Sequence, residues 1–456
     1  MTDPPPKPAS RAGRVSLWRY ARLFRRDILS AQPARLYRAW MAEFRTPFFR
    51  SYLCNDPDLV ARVLHAPAGE FPKSDRIREG LAPLLGQSVF ITNGATWARQ
   101  RRIIDPAFEG GRLRDSFPAM RAAGAAMVAR LAPLADGRAV EIEEEASHGA
   151  ADVIFRTLFS IPIEHEVAAG VCRAFRAHQA AQPLLNLAAL VPLPRWLPRP
   201  HGRRARRTAR EIRGLLTRLT EARMAAIRAG TAPDDLASRI MTTPDPETGQ
   251  CFTTGEMVDQ VAIFFLAGHE TSASALGWAL YLLARSPEWQ ARVAAEAGEV
   301  IDDPAGMEFS ALGRLTAARA VFREAMRLYP PVPMMVREAT APDCFRARAV
   351  APGSQIVLSP WHLHRHERLW EAPDAFDPSR WETENGRDCM RRAYIPFSAG
   401  PRACPGAGFA MAEGPLLLAM ILRAFRLEPV AGETPVPVAH LTVRARNGIR
   451  LRLTPR

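Results

Sequence analysis

The residues of this chain best suited to chemistry are those of Phe397-Ser398-Ala399-Gly400-Pro401-Arg402-Ala403-Cys404-Pro405-Gly406. One cysteine stands among glycines and prolines, where a metal-ligating thiolate can be made and kept. Such a ligand needs a lowered pKa, backbone N–H groups aimed at the sulfur, and shelter from solvent and oxidants. Gly400 and Gly406 lack a Cβ, so the backbone can turn tightly and approach a flat macrocycle closely. The apolar run Ala407–Phe425 reads as a helix with Pro405 near its first turn, which aims the positive end of its dipole at the sulfur. The plain alternative is a buried, inert cysteine in a glycine-rich turn, since free cysteine is a common core residue.

A second constellation, Ala267-Gly268-His269-Glu270-Thr271, lies in the middle of the longest helical signal, Thr253 to Arg285. That helix opens with the capping-box pattern Thr253-x-x-Glu256 and stops before Ser286-Pro287. A carboxylate and a glycine inside an otherwise apolar run are both costly, which argues against an incidental polar pair.

On Phe-x-x-Gly-x-Arg-x-Cys-x-Gly the chain resembles the cytochrome P450 family of haem-thiolate monooxygenases, of the soluble bacterial type. The resemblance extends from about Asn55 to the end. It implies a predominantly α fold with small β-sheets, the haem lying between the long central helix and the helix that follows the cysteine. It further implies haem b and O₂, with Cys404 as the iron ligand, Phe397 covering the sulfur and Arg402 pairing with a propionate. Trp97 and Arg101, matching Trp-x-x-x-Arg, and Arg337 in Pro333-Met334-Met335-Val336-Arg337 are the other propionate partners. By the same resemblance Ala267 and Gly268 leave room for O₂ and let the helix open locally, Thr271 holds a water or the oxygen, and Glu270 relays protons. Glu324 and Arg327, joined by Arg380, are implied to be structural residues near the haem. Phe90, Ile263, Ala267, Pro333 and Met335 are implied to line the substrate pocket. The reaction implied is insertion of one oxygen atom from O₂ into an apolar small molecule. The rivals are a peroxide-driven peroxygenase and a non-catalytic haem-binding sensor or carrier.

The elements that must position these residues are carried by an ordinary globular composition, 47% apolar and 24% charged. A division into residues 1–50, a basic amphipathic segment, and 51–456, one domain, fits it. The net charge is +14, carried almost wholly by arginine, since Lys7 and Lys73 are the only lysines. This suits an acidic protein partner, an anionic membrane or nucleic acid, and the resemblance removes nucleic acid. Six scattered cysteines form neither a disulfide framework nor a zinc spacing, which fits the reducing cytoplasm. From Arg11 to Phe49 arginines alternate with apolar residues, a pattern that lies on a membrane or packs on the body. No apolar leader or span of about 20 residues precedes it.

Asn55-Asp56-Pro57 opens a short helix after a strand. Ile77, Leu81, Leu84, Leu85, Val89 and Phe90 read as an apolar loop, and residues 115 to 240 as mostly helical. Pro183 to Pro200, with Trp196, reads by resemblance as a channel lid and leads into Arg203, Arg204, Arg206, Arg207 and Arg210, or else as a loop beside a solvated arginine face. His362, His364 and His366 alternate, so in a strand they share one side and could bind a metal, although the family has a similar segment without one. Gly414-Pro415 interrupts the last helix without a functional account. Asn447-Gly448 reads as a hairpin turn. Only 52 residues follow Cys404, so electrons are expected from a separate ferredoxin or flavodoxin with its reductase, docking near Arg391, Arg392 and Arg402.

Overall fold

The stretch Met257 to Ala284 is apolar on every side, with Asp259 and Glu270 its only charged residues, and such a helix must be buried all round. The computed structural model, which describes residues 4–11, 13, 15–45, 50–181, 202–439 and 441–456, is built about it. Thr254–Ala284 is one unbroken helix of 31 residues, roughly 46 Å long at 1.5 Å per residue. Both halves of its capping box form between Thr253 and Glu256. Ile142–Phe159, Arg203–Arg228, Thr316–Leu328 and Ala407–Ala424 pack against this central helix.

The helical region expected at 115–240 resolves into Arg112–Leu131, Ile142–Phe159, Glu166–Ala181, Arg203–Arg228 and Leu236–Thr242. The arginines at 203, 204, 206, 207 and 210 form the exposed face of their helix. The lid expected at Pro183 to Pro200 lies outside the described residues. The apolar segment expected as a loop is instead a helix, Asp75–Leu85, capped by the Ser74 hydroxyl and ended by Gly86 at φ +54°. Its signal was Ser74-Asp75 ahead of Ile77, Leu81 and Leu84, a cap followed by helical spacing.

The strands are β1 (Met41–Arg45), β2 (Arg50–Cys54), β3 (Ala139–Glu141), β4 (Met335–Glu338), β5 (Asp343–Phe345), β6 (Arg348–Val350), β7 (Gln355–Leu358), β8 (Phe425–Pro429), β9 (Pro437–Ala439), β10 (Val443–Ala445) and β11 (Arg450–Pro455). The main sheet runs β1-β2-β7-β4, with β2 and β7 parallel and paired from Ser51 with Gln355 to Cys54 with Leu358. A second sheet runs β3-β11-β8, and β5-β6 and β9-β10 form pairs. Asn447-Gly448 is therefore not a hairpin turn. It connects β10, paired with β9, to β11 in another sheet, and Gly448 at φ +75° turns against the Glu141 carboxylate.

The amino-terminal residues are tied to the body. The Tyr329 hydroxyl donates to the Pro6 carbonyl at 2.8 Å, Lys7 pairs with Asp374, and β1 hydrogen-bonds β2. Helix Leu17–Arg26 turns Tyr20 toward Phe24 and Phe44 and leaves Trp18 81% exposed. Ala407–Ala424 is the one helix among the described residues long and apolar enough to span a membrane, and it is mostly buried in the core.

Candidate active site

Cys404 faces a cavity of about 1470 Å³. This exceeds the roughly 300–1,000 Å³ of a site for one small ligand, so there is room for two. The loop that holds the cysteine is pinned by its N–H to the Phe397 carbonyl at 2.9 Å. Gly400 has φ +67°, and a Cβ there would stand 2.1 Å from the Leu64 carbonyl oxygen, so only glycine fits. Gly406 differs from expectation. Its φ is −82° and an added Cβ would rest 3.9 Å from the sulfur, so the tight turn needs Gly400 and not Gly406. The helix starts at Ala407, and the Gly406 N–H is the amide that lowers the thiol's pKa. Burial nevertheless pushes the Cys404 thiol up, outweighing that N–H and Arg101. The lowered pKa expected for a ligand is thus not found in the protein alone, and a cation at the sulfur would favour the thiolate.

One wall of the cavity gathers Lys73, Arg101, Arg337 and Arg402. Arg101 pairs with Asp105 and donates to the Ala403 carbonyl, both at 2.8 Å. No carboxylate among the described residues lies within 4 Å of the other three. Arg402 stacks over Trp97 at 4.3 Å, and one of its nitrogens donates to Ala68 and Asn93, both at 3.0 Å. Its Nε and Nη1 are buried with no partner. Burial and the neighbouring arginines push Lys73 down to about 6, and burial drives Arg337 to about 10. A buried cluster of cations with orphan donors calls for an anion, and the two propionates of a haem held by Cys404 would meet that need. The group fits these residues. Lys73 was missed in the sequence, as was Asn93, which also bonds both backbone groups of Lys73. Their one available signal was that Lys73 is one of two lysines.

The central helix also lines the cavity. Ala267 and Thr271 line the cavity, and the Thr271 hydroxyl donates to the Ala267 carbonyl. The helix is continuous here and does not open, contrary to expectation. Gly268 is explained by packing, since a Cβ would come within 2.3 Å of Ile154 on Ile142–Phe159. Glu270 is buried beside Arg444 at 2.9 Å, accepts from Gln179, and lies 3.3 Å from the Thr442 hydroxyl. Burial raises its pKa, but Arg444, His269 and Gln179 together hold it below the ordinary carboxylate value. Arg444 also pairs with Glu143, and the neighbouring His269 bonds Ser147.

The structural triad assembles away from the cavity. Arg327 grips Glu324 through two hydrogen bonds of 2.8 and 2.9 Å, and Arg380 donates to the same carboxylate at 3.0 Å. Arg327 also donates to the carbonyls of His364, Pro373 and Ala375. His362, His364 and His366 are not in a strand. They sit in the short helix Pro360–Leu363 and the turn after it, all buried and pushed down by burial. His362 bonds Ser359, His364 accepts from the Ile395 N–H, and His366 stacks on Trp40. No metal-binding group of three side chains occurs among the described residues. Nor does Gly414-Pro415 interrupt its helix: Ala407–Ala424 is continuous, and Gly414 lets it approach the Phe322 ring, which a Cβ would meet at 2.2 Å.

Phe90, Ile263, Pro333, Met335 and Phe397 line the cavity with Ala267. Outside it, Arg391 and Arg392 are exposed and share Asp388 at 3.3 and 3.4 Å. The family profile for Cytochrome P450 matches residues 45–452. The chain is 32% identical over 425 residues to cyclooctat-9-en-7-ol 5-monooxygenase of Streptomyces melanosporofaciens, covering 92% of this chain and 88% of that one. It is 32% identical to cyclooctatin synthase from the same organism, over 86% of this chain and 84% of the relative. It is 30% identical to Cytochrome P450 4F2 of Homo sapiens, over 92% and 83% respectively.

Proposed function

Because the chain belongs to the cytochrome P450 family and is a monooxygenase that uses haem iron and O₂, we propose that it oxygenates an apolar, hydrocarbon-rich small molecule. The observation that carries this reading is Cys404 facing an apolar-lined cavity beside Lys73, Arg337 and Arg402, cations with no carboxylate within 4 Å among the described residues. A relative named for oxygenating cyclooctat-9-en-7-ol supports the same substrate class.

In this reading Cys404 is the ligand of a haem b, whose thiolate-bound iron supplies the O₂ chemistry by pushing electron density toward O–O cleavage. Arg402, Arg337, Arg101 and Lys73 hold the propionates, with Trp97 as the platform under Arg402. Phe90, Ile263, Ala267, Pro333, Met335 and Phe397 keep water from the substrate. Thr271 holds a proton-bearing hydroxyl at the cavity wall, and Glu270 passes protons when Arg444 lets go of it. Glu324, Arg327 and Arg380 position the segment that leads into the cysteine loop. Residues 51–456 form the catalytic domain. Electrons come from a separate acidic ferredoxin or flavodoxin at the face of Arg391 and Arg392, in the cytoplasm, with helix Leu17–Arg26 resting on the membrane surface.

The test is direct. Purified protein should bind one haem and give the thiolate-type spectrum of the reduced carbon monoxide complex, and Cys404→Ala should lose that spectrum. Retention of it in the variant would show that another residue is the ligand. Consumption of reductant and O₂ with product separates the monooxygenase from a haem sensor.

A further inference from the structure

The carboxylate of Glu270 is held by donors from separate elements. Arg444 of β10 reaches it at 2.9 Å, the Thr442 hydroxyl lies 3.3 Å from its Oε2, and the Nε2 of Gln179, on helix Glu166–Ala181, donates to its Oε1. Against the upward push of burial, Arg444, His269 and Gln179 hold its pKa below the ordinary carboxylate value, so it stays ionised and can only accept.

That fixes the Gln179 amide, whose two ends are nearly identical in shape. An amide that turned its oxygen to Glu270 would set two acceptors against each other, so the NH₂ group takes that side and the carbonyl the other. No donor among the described residues reaches the carbonyl oxygen Oε1, and Gln179 is exposed and lines the cavity. The amide also keeps a second N–H beyond the one it gives to Glu270. An acceptor and a donor are therefore offered to a ligand beside Glu270, the chain neighbour of Thr271, in a cavity whose apolar wall includes Ile263, Ala267 and Met335.

We propose that Gln179 is a specificity-determining residue that receives a hydroxyl already present on the substrate, so that the site prefers an alcohol to the hydrocarbon of the same skeleton. The inference rests on the monooxygenase reading and narrows its substrate class. A hydroxyl donates and accepts at one atom, which matches what the amide offers. A carboxylate ligand brings no proton for Oε1 and would lie against Glu270. An ammonium ligand would meet Arg444 and Arg176, both at the cavity wall. A hydrocarbon leaves the amide carbonyl unpaired, and where the ligand shuts out water that loss exceeds what a made bond returns. Because Glu270 anchors the amide, little rotamer freedom is left to lose when the hydroxyl arrives.

The haem-loaded whole chain is titrated with two matched pairs, adamantane with 1-adamantanol and cedrane with cedrol, and dissociation constants are read from the shift of haem absorption in the ferric state. Gln179→Leu should lower the alcohol's advantage over its hydrocarbon by about tenfold in both pairs, with hydrocarbon binding held or tightened. The ratio within a pair isolates the hydroxyl, because a change in pocket packing acts on both members alike. Should Gln179→Leu not bind haem, Gln179→Met keeps the unbranched chain and is expected to give the same loss. Thr442→Val removes a different donor to Glu270 and leaves the amide, so it should leave the ratio unmoved. An unchanged ratio in the Gln179 variant overturns the inference, as does a parent whose spectrum no alcohol shifts. An equal loss in Thr442→Val overturns it too, because the hydroxyl is then held at Thr442 or the effect runs through Glu270. Binding as expected with no product from any probe takes down the monooxygenase reading and leaves the hydroxyl site standing. Product formed by a chain whose ratio Gln179→Leu does not move takes down the inference alone.

Discussion

Lys73 carries a consequence for how protons are exchanged when haem binds. In the cation cluster its amine is held near 6, so at pH 7.5 it is largely neutral. In the proposed site a propionate beside it would favour the ammonium, so binding would draw a proton in. In the proposed site, ligation by Cys404 would work the other way, because a thiol whose pKa is raised releases its proton to ligate. Haem binding to Lys73→Met should therefore release about one proton more than binding to the parent, measured by haem titration in lightly buffered solution with a pH indicator. Equal proton counts would remove Lys73 from the propionate site. The residue scale was also the least evenly legible in the sequence. Cys404, Thr271 and Arg402 stand in motifs with fixed spacing. Lys73 has no such spacing, and what makes it chemical is burial without a counter-charge, which belongs to the folded chain.

The elements were more legible, because caps and apolar periodicity are local properties. The capping box at Thr253 and Glu256 marked the start of the central helix, and Asp56-Pro57 that of Pro57–His65. The missed helix Asp75–Leu85 had a local cap and spacing, but other failures came where a tertiary neighbour decides. Nothing local to Gly268 or Gly414 says that Ile154 or Phe322 occupies the space of the missing side chain. Gly268→Ala should destabilise the protein by about 1–3 kcal/mol through overpacking. Ile154→Val removes the Cδ1 that clashes, so combining the two should recover much of that loss. Chemical denaturation of the four proteins in a double-mutant cycle measures the coupling. Strict additivity would mean that Gly268 is there for some reason other than this helix contact.

For the whole molecule, the +14 charge is spread unevenly. Helix Leu17–Arg26 presents Arg19, Arg22, Arg25 and Arg26, all exposed, beside Trp18 and with no acidic residue. Tyr20 and Phe24 of that helix line the cavity. Binding to anionic vesicles should weaken by about 1 kcal/mol for each of these arginines changed to glutamine, and Trp18→Ala should weaken it further. Cosedimentation at low and high salt checks this, and equal binding to neutral vesicles would contradict it. Substitution is the better test than truncation, because Pro6, Lys7 and β1 are bonded into the body. The same connectedness governs how the chain comes to be folded. Strand β2 finds its parallel neighbour β7 about 300 residues later, which at 5–20 residues per second is roughly 15 to 60 s of synthesis. Through that interval the edge of β2 has no mate, and Lys73 waits on the ribosome for Arg337 and Arg402. In the proposed reading haem would be captured only after the cysteine loop is made, so chains short of haem would keep buried cations with nothing to neutralise them and should be the more readily proteolysed.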